Sequence, residues 1–179
     1  KNYSMLNQKT IAVVVPAYNE EQQIGMVIEG MPAFVDRIII VDDLSRDRTA
    51  EVVQGMIPRI GKGMAIEAFR YRDTDLKYNR AKMLLQQQNE EEKKRFTPSQ
   101  LVNTDPVNDR LILIRHLKNG GVGASIATGY KWCKDHGIDC TAVMAGDGQM
   151  DPDELESICM PVVQEDIDYV KGNRLIHRS

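Results

Sequence analysis

Cysteine is scarce in this chain of 179 residues. Cys133, Cys140 and Cys159 form no C-x-x-C pair. An odd, widely spaced set argues against a disulfide framework and against a thiolate metal site, and fits a reducing compartment with thiols packed in or near the core. No apolar run approaches the roughly 18 residues that suggest a membrane span. Lys1 to Thr10 is polar, without the apolar centre of a secretory signal. Basic excess is also missing. The net charge is −3, which gives no broad attraction for nucleic acid, and nucleic acid is not an expected partner. There is no internal repeat and no G-x-G-x-x-G fingerprint. The missing fingerprint argues against a dinucleotide-dependent dehydrogenase, whose glycines admit a pyrophosphate. No glycine-rich basic loop directly follows the first strand, which argues against a nucleotidyltransferase.

What is present is ordinary for a globular domain: 42% hydrophobic and 27% charged residues. Ile11–Val15 (IAVVV), Ile38–Val41 (IIIV), Leu111–Ile114 (LILI) and Thr141–Met144 are short apolar runs suited to strands buried on both faces. Tyr169–Lys171 reads as a fifth short strand. Between the runs, apolar residues recur at helical spacing over Glu20–Gly30, with Asn19 as N-cap, over Thr49–Ile57 and over Ala124–Asp135. Pro152 opens a helix of about two turns. Such alternation predicts an α/β domain spanning 1–179, with a mostly parallel central sheet and helices on both faces. Residues 61–108 break the rhythm. Polar, and read as helical over Asp75–Phe96, they form an insertion: either a solvated excursion or a lid or oligomer contact beside the site.

On such sheets ligands bind beyond the carboxyl ends of the strands, and the polar motifs of this chain sit there. In Pro16–Ala17–Tyr18–Asn19–Glu20–Glu21, Tyr18 offers a stacking ring and Glu20 a hydrogen-bond acceptor; a strand-to-helix corner explains the segment equally well. Asp42 and Asp43 open the motif DDLSRDRT. Two carboxylates at a strand end are costly to bury unpaired, so they should face solvent, a donor-rich ligand or a cation. On the ligand reading Asp42→Ala lowers ligand affinity and leaves the fold intact. Asn119–Gly120–Gly121–Val122–Gly123 precedes a helix, where backbone N–H groups can meet an anion or merely make a tight turn. Gly146–Asp147–Gly148–Gln149–Met150–Asp151–Pro152 puts a carboxylate between glycines at a strand end, suited to a divalent ion; Asp151 reads as a helix cap. Lys171–Gly172–Asn173–Arg174 brings a guanidinium that could meet a diphosphate.

Taken in order, PAYNEE, VDDLSRDRT, NGGVGASIATGY, GDGQMDP and KGNR resemble family 2 glycosyltransferases of the GT-A type, a Rossmann-like nucleotide-binding half. Within that family the chain looks most like bacterial relatives of the dolichyl- and polyprenyl-phosphate sugar synthases. The resemblance runs over residues 11–55 and 111–174 and leaves the insertion uncovered. It implies an inverting hexosyltransferase of the cell envelope, taking a nucleoside-diphosphate sugar and passing the sugar to polyprenyl phosphate or another glycan acceptor. By this resemblance Pro16, Ala17, Tyr18, Glu20, Asp42, Asp43, Asn119, Gly121, Asp147 and Arg174 are the nucleotide-sugar contacts. Asp147 and Gln149 would hold Mg or Mn. Asp147 matches the second carboxylate of the family's D-x-D motif, and Ala145 stands where the first belongs. That departure leaves a second reading open, a non-catalytic nucleotide-sugar-binding relative. The family's catalytic base, where the acceptor needs one, usually lies after the fifth strand, so the chain is expected to be cut short and no base is assigned. The expected location is the cytoplasm, at the inner membrane face where segments outside these residues anchor it; a homo-oligomer is compatible with the sequence.

Overall fold

The computed structural model describes residues 6, 8–64, 66, 80–165 and 167–172. Its centre is a five-stranded sheet in the order β3-β4-β2-β1-β5. β1 (Ile11–Ala17), β2 (Arg37–Asp42), β4 (Leu111–His116) and β5 (Cys140–Val143) are parallel to their neighbours. β3 (Ser99–Leu101) pairs antiparallel with β4 at the edge.

The β-branched runs are strands because both of their faces are covered. Val13, Val15, Ile38, Ile40, Leu111 and Leu113 enter one core cluster, with Ile24, Val27 and Ile28 of α1 (Ile24–Glu29) and Val53 and Met56 of α2 (Thr49–Ile60). The intervening Ala12, Val14, Ile39, Val41, Ile112 and Ile114 face the other way, onto Trp132 and Cys133 of α4 (Val122–Asp135). Period-two alternation thus serves two cores at once. A third, smaller cluster joins Ile11 and Cys140 to Cys159 of α5 (Leu155–Gln164), which follows a 3-10 turn at Pro152–Glu154.

The mostly parallel α/β expectation therefore holds, and several details differ. α1 starts at Ile24 and not at Glu20. Asn19 does not cap it: Asn19 sits at φ 58°, and its side-chain oxygen accepts from the Arg46 N–H (2.8 Å). α2 runs on through Pro58 to Ile60. β3 has no apolar run to announce it, and its three residues are all exposed. Tyr169–Lys171 forms no strand.

Within the insertion, α3 (Arg80–Lys93) is fastened to α4 through Glu92 with Lys134 (3.0 Å) and Asn89 with Lys131 (2.6 Å). Its ends are tied to the opposite edge of the sheet by the buried Arg37, whose guanidinium donates to the carbonyls of Asp36 (2.8 Å), Val107 (2.8 Å) and Met64. Residues 67–79, the first part of the expected helix among them, lie outside the described residues. Among the described residues no helix is long and apolar enough to cross a membrane.

Candidate functional site

The strand order reverses beside β1. The chain moves outward through β2 to β4 and returns to place β5 on the other flank of β1. Beyond the carboxyl ends of β1 and β5 the loops diverge, and such a switch point opens a crevice. A cleft of about 230 Å³ lies at this edge. Pro16, Ala17, Tyr18 and Glu20 line it from β1, Asp43 from β2, Val122 and Ser125 from the start of α4, and Ala145, Gly146 and Asp147 from β5.

The β1 and β2 loops are laced together by short polar side chains. The Asn19 N–H donates to Ser45 Oγ (3.0 Å), and the Glu20 N–H to Thr49 Oγ1 (2.8 Å). Asp47 accepts from the Glu21 N–H (3.1 Å) and the Thr49 N–H (2.9 Å), so it caps α2 while holding the neighbouring loop. Residues 19–21 thus give their N–H groups to DDLSRDRT, which fixes the approach to α1. It leaves the Glu20 side chain at the cleft and Tyr18 exposed.

Asp42 and Asp43 have different fates. Asp42 is fully buried, accepting from the Ser45 N–H (3.1 Å) and from Arg115 Nε (3.1 Å), its register neighbour on β4. Among the described residues it does not line the cleft, which corrects the expectation that it faces solvent or ligand. Burial is tolerable because a guanidinium compensates the charge. Asp43 does reach the cleft, yet its oxygens are committed. Oδ1 is 2.6 Å from His116 Nδ1 and accepts from the Gly120 N–H (2.8 Å), and Oδ2 accepts from the Gly121 N–H (2.7 Å). The N–H groups expected to meet a ligand anion thus meet the chain's own carboxylate, and Asn119 Nδ2 donates to the Asp43 carbonyl (3.1 Å).

Asp147 stands opposite, on the β5 loop. Its Oδ1 accepts from the Gln149 N–H (3.0 Å) in a tight turn where Gly148 takes φ 72°. Burial, then the Asp147 carboxylate, then Asp47 raise the Glu20 carboxyl above its ordinary range. Glu20 and Asp147 therefore feel each other across the cleft, and among the described residues no Lys or Arg lines it. Gln149 and Asp151 line a larger adjoining hollow of about 690 Å³, with Tyr130, Ile158 and Lys171. Asp151 Oδ1 caps the 3-10 turn by accepting from the Asp153 N–H (3.0 Å), as expected. Arg174 lies outside the described residues.

Comparison with known proteins bears on the same residues. The model of glycosyl transferase family 2 matches residues 12–86. A UDP-N-acetylglucosamine–dolichyl-phosphate N-acetylglucosaminyltransferase of Methanococcus voltae is 29% identical over 168 residues, covering 93% of this chain and 53% of that protein. The chain is thus similar to glycosyl transferase family 2 over residues 12–86, less than half of its length. An uncharacterized protein of Methanocaldococcus jannaschii is 23% identical over 175 residues, covering 97% of the chain and 50% of that protein. The chain spans about half the length of the curated relatives it matches.

The resemblance to family 2 implies a divalent cation that comes with the donor, and the residues present can be tested against that. Among the described residues no three His, Cys, Asp or Glu side chains gather tightly enough to form a closed metal site. Magnesium needs less: one or two carboxylates, waters and substrate phosphates. Asp147 and Glu20 supply hard oxygens whose mutual repulsion a cation would relieve, so the donor set fits an ion that arrives with a diphosphate. Ala145 supplies no ligand, and Gln149 faces the adjoining hollow. Sequence reasoning missed His116, Thr128 and the loop-holding role of Thr49. Their partners lie on other elements, and only the sequence order of the strands hinted at them.

Proposed function

We propose that this chain forms the nucleotide-sugar-binding part of a glycosyltransferase that transfers a sugar, with inversion, from a nucleoside diphosphate to polyprenyl phosphate. The observation that carries the reading is an acidic cleft at the β1/β5 switch point, with no basic residue among the described residues that line it, on a chain similar to family 2. Positive charge brought by a cation would offset the repulsion between such a cleft and a diphosphate. The relative from Methanococcus voltae, whose printed name couples a UDP-sugar to dolichyl phosphate, supports the same donor and acceptor classes.

In this reading Pro16, Ala17 and Tyr18 form the floor and rim on which the nucleoside rests. Tyr18 presents its ring for stacking. Asp42 acts through Arg115 and Ser45, fixing the loop that borders the site, while Asp43, Asn119 and Gly121 shape its wall. Asp147 and Glu20 hold the cation, and Arg174 adds positive charge near the diphosphate. When bound, the cation supplies Lewis-acid neutralisation of the leaving diphosphate. The acceptor phosphate oxygen attacks the anomeric carbon. The bond from that carbon to the diphosphate oxygen breaks, and the nucleoside diphosphate leaves with the electron pair. An anionic acceptor has no proton to lose, so the step asks for no general base. The place of action is the cytoplasmic membrane face, where such an acceptor would be met.

Isothermal titration with uridine and guanosine diphosphate tests the binding half. Binding that requires manganese and is weakened by Asp147→Asn is expected; no response with or without metal would refute it. Ala145 favours a second reading, a relative that binds the donor without turnover. Transfer of labelled sugar to polyprenyl phosphate by the full-length protein excludes that reading, and donor binding without transfer would establish it.

A further inference from the structure

The polar groups beneath the cleft converge on one imidazole. His116, the last residue of β4, is fully buried. Its Nδ1 lies 2.6 Å from Asp43 Oδ1, and its Nε2 lies 2.9 Å from Thr128 Oγ1 on α4. A carboxylate only accepts, so Nδ1 carries a proton, and both ring nitrogens are engaged. The ring thus spans the end of β2 and the second turn of α4, and nothing in the chemistry assigned above uses it.

We propose that His116 is a positioning residue of the nucleotide-sugar cleft. Through Asp43 it fixes the Asn119–Gly121 loop, and with that loop the start of α4 that walls the cleft. The inference rests on the nucleotide-sugar reading for its functional meaning and on geometry for its mechanism. Asp43 receives three donors, and two of them are the loop amides of Gly120 and Gly121. The His116 donor turns the carboxylate toward those amides. Without it, one oxygen loses a charge-assisted bond and the carboxylate gains freedom to rotate. Gly121 is the N-cap of α4 at φ 81°, and Val122 and Ser125 of the first turn line the cleft. From the other side the insertion presses on the same loop: a methyl group on Gly120 would lie 2.6 Å from Thr97 Oγ1. The loop is held between the Asp43–His116 pair and the insertion's exit, so its position follows from those two supports.

The test separates positioning from bulk stability and from the nucleotide reading. Amide hydrogen exchange at Gly120 and Gly121, measured without ligand, should accelerate at least tenfold in His116→Phe, with exchange in β1 and β2 much less changed. Nucleoside-diphosphate affinity with manganese should fall about tenfold below the melting transition. His116→Asn, whose amide N–H can reproduce the Nδ1 donor, should restore both. Thr128→Val is the milder variant where His116→Phe does not fold, and should show the same loop-selective exchange at smaller amplitude. Loop exchange that changes only in step with global stability would overturn the proposal, as would unchanged affinity in a loosened loop. A wild-type chain that binds no nucleoside diphosphate would sink the nucleotide reading alone, because the exchange experiment needs no ligand.

Discussion

Gly129 gives the sharpest test of how α4 is seated on the sheet. A methyl group at this position would lie 2.7 Å from Val14 Cγ2 and 3.1 Å from its Cβ, and would overlap Cγ1. Val14 is completely buried in the middle of β1, so it has nowhere to retreat. In an exposed helix, glycine to alanine would stabilise by about 1 kcal/mol. Here the methyl group overpacks a dense core, which costs about 1–3 kcal/mol, and overlap with three atoms of a rigid β-branched side chain points to the upper end before the helix-propensity gain is set against it. Gly129→Ala should therefore destabilise by about 2 kcal/mol, lowering the melting temperature by about 4–8 °C for a domain of this size. The double-mutant cycle is the control. Val14→Ala alone should cost about 2 kcal/mol for its lost methyl groups and the cavity. With alanine at position 14 both Cγ overlaps vanish and only the tight 3.1 Å contact with Cβ is left, so Gly129→Ala should lose most of its cost. Urea unfolding measures each variant. A Gly129→Ala chain that is more stable than wild type, or a cycle with no coupling, would refute the close seating of α4 on β1.

Asp42→Ala should destabilise by about 2 kcal/mol in the same assay, because it strands the Ser45 N–H and frees Arg115; the expectation of an intact fold arose from treating Asp42 as solvent-facing. An unchanged urea midpoint would show that Asp42 is not engaged. Glu20, followed by carboxyl NMR, should titrate above the usual glutamate range. Because the folded state holds this proton more tightly than the unfolded chain, stability declines as pH rises through the Glu20 titration. Asp147→Asn should lower the Glu20 midpoint only partway, since burial is the larger cause, and should reduce that decline; no movement would place the two carboxylates apart. Burial pushes the Cys133 thiol up to about 12, so it should resist thiol reagents at neutral pH until the chain unfolds. Rapid labelling of native Cys133 would contradict its burial between α4 and the sheet.

The buried strands could be read from the sequence because a doubly covered strand needs an unbroken apolar run, and IAVVV, IIIV and LILI supply one each. β3 could not: its Ser-Gln-Leu is exposed, and only pairing with β4 makes it a strand. The position of the cleft followed from motifs lying at strand ends, but its chemistry was only half visible. Asp42 looked free because its partner, Arg115, is brought beside it by register 73 residues later. The Gly120–Gly121 amides looked free for the same reason, since Asp43 is 77 and 78 residues away. Local patterning reports burial; it does not report which distant side chain compensates a charge.

Paramagnetic manganese offers the most direct test of the site. Added at low stoichiometry with a nucleoside diphosphate, it should broaden backbone amides of Tyr18–Glu21 and Ala145–Gln149 together, ahead of those near Lys62 and Asp109 at the far edge of the sheet. Broadening confined to the far edge, or spread evenly over exposed carboxylates, would mean that the cleft between β1 and β5 is not where the donor and its cation meet.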